Sequence, residues 1–132
     1  SHVVQTFLRA VIAKLPDVPG CEQQRFFGCA RRNFRGDFFA LTQTEEELSI
    51  ICDESAVPRD VNKVERGWRC FKVVGPLDFG LVGILAKLSA VLADVNVPII
   101  SISTHDTDHI MVRDVNVKEA TEALRKAGFA IK

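Results

Sequence analysis

Between Val64 and Val74 the side chains alternate, with Val64, Arg66, Trp68, Cys70, Lys72 and Val74 on one side and Glu65, Gly67, Arg69, Phe71 and Val73 on the other. A period of two belongs to extended backbone, whose successive side chains point to opposite faces, so this run predicts a long central strand. After Gly75-Pro76 the period changes. Leu81, Ile84, Leu85, Leu88, Val91, Leu92 and Val95 recur at intervals of three and four, which places one wide apolar stripe on a helix of about four turns that begins near Phe79. Such a stripe has to cover a sheet. Asn96 and Pro98 end the helix, and Ile100 and Ile102 alternate with Ser101 and Ser103 in a following strand. Thr104 to Asp108 reads as a turn and Ile110 and Val112 as the return strand. Asn116-Val117-Lys118-Glu119 has capping-box spacing, so a second helix is expected through Ala120, Leu124 and Ala127. Gly128 suits the left-handed position after its last turn, and Phe129-Ala130-Ile131 forms a short last strand.

Residues 64–132 thus read as strand, helix, strand, strand, helix, strand, the βαββαβ order of a ferredoxin-like unit: an α+β fold with helices on one face of an antiparallel sheet. The first half reads as a degraded copy. Phe7 to Leu15 is a strand, Cys21 to Arg32 a short, weakly amphipathic helix, and Asp37 to Thr42 and Leu48 to Asp53 two further strands. Glu54 to Lys63 contains Pro58 and too few apolar positions for a second helix. Two fused units follow, 3–63 and 64–132, with the long Val64 strand expected to serve both.

Composition narrows the class. A chain of 132 residues, 47% of them hydrophobic, suits one compact domain or two small ones that share a core. Seventeen basic and seventeen acidic side chains cancel, so no long-range field draws the chain to nucleic acid or anionic lipid. No apolar run reaches the roughly 18 to 20 residues of a membrane span, and no basic segment precedes an apolar one at the N-terminus. A soluble, cytoplasmic protein without membrane or nucleic-acid partners is expected. Ser1-His2 is set aside from the fold. Cys21, Cys29, Cys52 and Cys70 lie 8, 23 and 18 positions apart, which matches neither a redox pair nor zinc knuckles, so they are expected as buried thiols.

Several segments in fixed order resemble the tandem ACT-domain proteins of the CASTOR-like ACT family: Gly36-Asp37-Phe38-Phe39-Ala40-Leu41-Thr42, Glu46 to Cys52, Val64 to Arg69, Gly75 to Phe79 and Ile102 to Asp108. The similarity runs from about Phe7 to the end of the chain. ACT domains are ferredoxin-like modules that bind amino acids and regulate enzymes such as aspartate kinase, and the cytosolic CASTOR arginine sensors belong to the same group. The Gly20–Arg35 segment is longer and more basic than the corresponding stretch in small bacterial members of the family, and the chain has two units where the arginine sensors have four.

The resemblance implies a regulatory protein without catalytic activity or cofactor, a homodimer whose partner would be a regulated enzyme or complex. It implies a ligand bridging two units and favouring one arrangement of them. The family's pocket maps to Gly75, Asp78, Gly80 and Leu81 at the helix entry, and to Thr104, His105 and Asp108 in the hairpin. A free amino acid carries a carboxylate and an ammonium. Helix-entry amides beside Gly80 would take the carboxylate, Asp108 and the Thr104 hydroxyl the ammonium, and Asp78 a cationic side chain such as that of arginine. Each residue also has a plain structural role. Asp78 reads as an N-cap, Gly75 and Gly80 as turn residues, and Asp108 as a partner of its own hairpin.

Three rival readings remain. One is a structural, oligomerising module without ligand. Another is a small enzyme or metal protein using His105, Asp106, Asp108 and His109, although neighbours on a strand point apart and no nucleophile motif accompanies them. The third sets Arg31, Arg32 and Arg35 among Phe26, Phe27, Phe34, Phe38 and Phe39 as a single-strand nucleic-acid surface, which the zero net charge disfavours.

Overall fold

Strands form where the sequence alternates and helices where the stripe recurs. In the computed structural model, which describes residues 3–14, 38–57, 63–74 and 83–132, the order is β1 (Val3–Lys14), β2 (Phe39–Gln43), β3 (Leu48–Asp53), a 3₁₀ turn (Glu54–Ala56), β4 (Lys63–Val73), α1 (Ile84–Asp94), β5 (Ile99–Ser103), β6 (Asp108–Arg113), a second 3₁₀ turn (Asp114–Asn116), α2 (Val117–Lys126) and β7 (Ala130–Ile131). The expected helix Cys21–Arg32, with Cys21, Cys29, Phe26, Phe27, Phe34 and the three arginines, lies outside the described residues. Two units divide the chain, Ser1–Leu8 with Gly67–Lys132 and Arg9–Arg66, so that both β1 and β4 contribute residues to each.

In the larger unit the strand order is β1-β4-β6-β5, and β7 pairs with β1. Antiparallel registers set Trp68 opposite Arg113 and Lys72 opposite His109, and Ile99 opposite Val112 and Ser103 opposite Asp108. Phe71 and Val73 of β4 and Ile110 and Val112 of β6 meet Leu88 and Leu92 of α1 and Ala120 and Leu124 of α2, and Val4, Val97 and Phe129 complete this core. Ile84, Leu85, Val91 and Val95 pack partly buried against it, so the stripe read from the sequence is the face that covers the sheet. Leu88 and Leu92 are almost wholly enclosed, and burying each contributes about 1.5–3 kcal/mol.

Both helices close alike. Asn96, left-handed at φ 58°, donates its amide to the Ala93 carbonyl, and Val97 donates to Leu92, each at 3.0 Å. Gly128, at φ 97°, donates to Arg125 and Phe129 donates to Leu124, again at 3.0 Å. This pair of back-bonds satisfies carbonyls that a helix end leaves open, and it needs a residue that tolerates positive φ.

Four expectations are corrected. The expected helix from Phe79 does not run through Gly83, whose φ of 91° has no place inside a right-handed helix; α1 opens at Ile84, behind it. The capping box at Asn116 and Glu119 does not form. A 3₁₀ turn runs straight into α2, leaving Asn116 at φ −101°, ψ 0° and without a side-chain cap bond, whereas an N-cap needs extended backbone to reach the first amides. β1 starts at Val3 rather than Phe7, because its first residues have partners on both sides: the Val3 carbonyl accepts from Val74 at 2.9 Å and the Val4 carbonyl from Lys132 at 3.0 Å. For the same reason β7 pairs, in parallel, with Val3 and Val4. In a self-contained ferredoxin-like unit, strand β7 would lie beside β4.

The smaller unit holds β3 between β1 and β2, with Ala10 opposite Asp53 and Phe39 opposite Cys52. Val11, Ala13, Leu48, Ile50 and Cys52 form its core, and Phe39, Leu41, Val57 and Val64 pack against them.

The two halves repeat at an interval of sixty residues. β1 and β4 begin at Val3 and Lys63, β2 and β5 at Phe39 and Ile99, β3 and β6 at Leu48 and Asp108, and the 3₁₀ turns at Glu54 and Asp114. Hairpin registers keep the same interval, Phe39 with Cys52 and Ile99 with Val112. After the 3₁₀ turns the copies diverge, since α2 follows the second and β4 is the next described element after the first.

Candidate functional site

The β5–β6 hairpin is built by threonine chemistry. Thr104 donates its amide to the Thr107 carbonyl at 2.8 Å, and its hydroxyl donates to that carbonyl at 3.1 Å while accepting from the Thr107 amide at 3.2 Å. A hydroxyl that satisfies backbone groups within four residues fixes a turn without glycine. The first half does the same sixty residues earlier, where Thr44 donates its amide to Glu47 at 2.9 Å and its hydroxyl accepts from Glu46 and Glu47 at 3.2 and 3.1 Å.

Thr107 is buried, and its hydroxyl donates to the carbonyl of Val73. That bond pins the polar turn to the end of β4, two residues before Gly75. Asp108, half-buried, stands opposite Ser103 in the ladder, and its Oδ1 accepts from the Ser103 hydroxyl at 2.7 Å. The other oxygen, Oδ2, makes no hydrogen bond among the described residues. His105 lies in solvent with Nδ1 2.8 Å from Asp106 Oδ1, at side-chain exposures of 86% and 73%, so this contact adds little stability. His109 is buried at 5% exposure. Burial first, then the nearby charge of Lys72, holds its imidazole below the ordinary 6.5, with Asp108 acting the other way, so the ring is neutral at pH 7. One imidazole in solvent and one in the core cannot close on one ion, and no cluster of three or more metal-ligating side chains occurs among the described residues.

Of the residues singled out in the sequence, Thr104, His105 and Asp108 are brought together on one turn, whereas Gly75, Asp78, Gly80 and Leu81 lie outside the described residues. Among the described residues, α1 opens with the Lys87 amide donating to the Gly83 carbonyl at 2.8 Å, and Gly83 at its N-cap offers no side-chain cap. Ser103 and Thr107 were missed in the sequence. The alternation that sets Ser103 opposite Asp108 was legible, but the reach of Thr107 to a carbonyl 34 residues away had no local signal.

Comparison with known proteins places this arrangement. An ACT-domain family model matches residues 63–126, and a second model, of an N-terminal domain, matches residues 33–60. A crystal structure of a protein from Agobacterium tumefaciens is similar over 99% of this chain and 92% of its own, at 29% identity and a TM-score of 0.79. The ligand-free regulatory subunit of aspartate kinase from Thermus thermophilus is similar over 95% of this chain and 97% of its own, at 15% identity and a TM-score of 0.63. Aspartate kinase from Synechocystis matches 98% of this chain with 27% of its own length, at 23% identity and a TM-score of 0.68. No helix among the described residues is long and apolar enough to cross a membrane. Residues 63–126 match the ACT domain, and nearly the whole chain shares the mixed α+β fold of aspartate kinase regulatory subunits.

Proposed function

We propose that this chain is an amino-acid-binding regulatory protein of two fused ACT units of the CASTOR-like kind, 3–63 and 64–132, acting in the cytoplasm as a homodimer on a partner enzyme or complex. The ligand is held by Gly75, Asp78, Gly80 and Leu81 together with Thr104, His105 and Asp108. The observation that carries this reading is the Thr107 hydroxyl on the Val73 carbonyl, which holds the acidic hairpin at the strand end from which the Gly75 segment departs. The ACT match over 63–126 and the likeness to aspartate kinase regulatory subunits support a regulatory, non-catalytic role. The sixty-residue interval supports the two-unit arrangement.

In this reading Oδ2 of Asp108 takes the ammonium, backbone amides at the helix entry take the carboxylate, and Asp78 meets a basic side chain such as that of arginine. Binding biases a partner's activity only as far as the ligand prefers one arrangement of the protein over another.

The test is the melting temperature against all twenty amino acids at millimolar concentration. A ligand at a hundred times its dissociation constant adds about 2.7 kcal/mol, several degrees for a chain of this size. The proposal expects a shift with one amino acid, a basic one, that is lost in Asp108→Ala; a flat panel sinks it. One observation favours the rival reading of a ligand-free structural module: the Ser103–Asp108 and Thr104–Thr107 bonds already occupy much of the hairpin's polar chemistry.

A further inference from the structure

Within the larger unit, a groove of about 490 Å³ runs along the seam between α1 and α2. Half-buried Val91, Val95 and Ala123 form its floor, and exposed Asp94, Glu119 and Glu122 its edges. Lys126 is its single cation among the described residues. None of the three carboxylates makes an ion pair among the described residues. The lining residues recur at i, i+3 and i+4 on the second helix, so the groove follows that axis from Glu119 to Lys126, a rise of about 10 Å, or two turns of a guest helix. Among the described residues, no lining residue belongs to the Thr104 hairpin.

We propose that this groove docks a basic amphipathic helix from a protein partner. Apolar anchors at helical spacing would cover Val91, Val95 and Ala123, and flanking lysines or arginines would meet the three carboxylates. Charge selects this occupant over a second copy of the chain, because two such faces would bring six carboxylates against two ammonium groups. Complementary charge of this kind acts chiefly on partner choice and on the rate of encounter, and it weakens with salt.

The probe is a fluorescently labelled helix-forming peptide of about fourteen residues, with leucines at i, i+3, i+4 and i+7 and lysines elsewhere, titrated into the full chain. Its counterpart carries glutamates in place of the lysines. The proposal expects saturable binding of the basic peptide alone, weakened by about tenfold or more in Glu119→Lys/Glu122→Lys. Glu45→Lys/Glu46→Lys, the same charge change on the exposed Thr44 hairpin, should leave the affinity unaltered. All four positions are exposed, and melting curves verify that both variants fold. Equal affinity for the two peptides, equal loss in the two variants, or no saturable binding overturns the proposal. So does a groove variant that instead breaks up an oligomer of the chain, since the occupant would then be a second copy.

Discussion

Replacing Thr107 by valine is the most direct test of how the hairpin is held. The two side chains are nearly the same shape, so the change deletes one hydroxyl and leaves the packing. The Thr107 hydroxyl donates to the Val73 carbonyl from a residue that is 9% exposed. Without the donor a largely buried carbonyl loses its side-chain partner, at a cost of about 1–3 kcal/mol. For a chain of this length, 1 kcal/mol moves the melting temperature by roughly 3–5 °C, so Thr107→Val should melt about 3–15 °C below the parent. Thr107→Ser keeps the hydroxyl and loses a methyl group worth about 0.8 kcal/mol, so it should fall less. Thr104→Val provides a contrast at the exposed start of the turn, where water replaces the lost partner. Thermal unfolding followed by circular dichroism reads all three. A Thr107→Val protein as stable as the parent, or more stable than Thr107→Ser, would refute the idea that this bond anchors the turn. The same variant should weaken any amino-acid shift, since it frees the turn from the strand end beside Gly75.

Further outcomes follow from the core and from the buried titrating groups. Leu88→Ala removes a fully enclosed side chain between α1 and the sheet and should cost about 2–5 kcal/mol in denaturant unfolding, against a few tenths for the exposed Ala86→Ser. His109 has its folded pKa below the ordinary 6.5, so the unfolded chain binds the proton more readily. The stability it contributes is complete above pH 6.5 and is lost as the pH falls through the folded value. His109→Gln should therefore flatten the acid side of the stability profile, and a profile of unchanged slope would contradict this. Burial, with Asp53 adding to it, pushes the Cys52 thiol up to about 11, and burial pushes Cys70 up to about 12. Both should resist alkylation at pH 8 in the native protein and react once denaturant is added, as peptide mass spectrometry would show.

Local pattern carried a large part of this molecule. The two-residue alternation of β4, the stripe of α1, and the helix stops at Asn96 and Gly128 each depend on neighbours within a few positions. Periodicity and positive-φ tolerance therefore sufficed to place them. The hairpin that gathers Thr104, His105 and Asp108 was legible for the same reason, as were strands β2 and β3 in the first half. What sequence alone misjudged depended on distant chain. Val3 and Val4 look like a frayed terminus until β7 and Val74 arrive to bond them. The capping box at Asn116 had the right letters, but the chain leaves β6 through a 3₁₀ turn that gives Asn116 the wrong backbone. Thr107 read as one more polar turn residue, and only tertiary structure set its hydroxyl on the Val73 carbonyl. A hydrogen bond between residues 34 positions apart leaves no periodic trace, because its partner is fixed by how strands pair and not by what lies beside it in the chain.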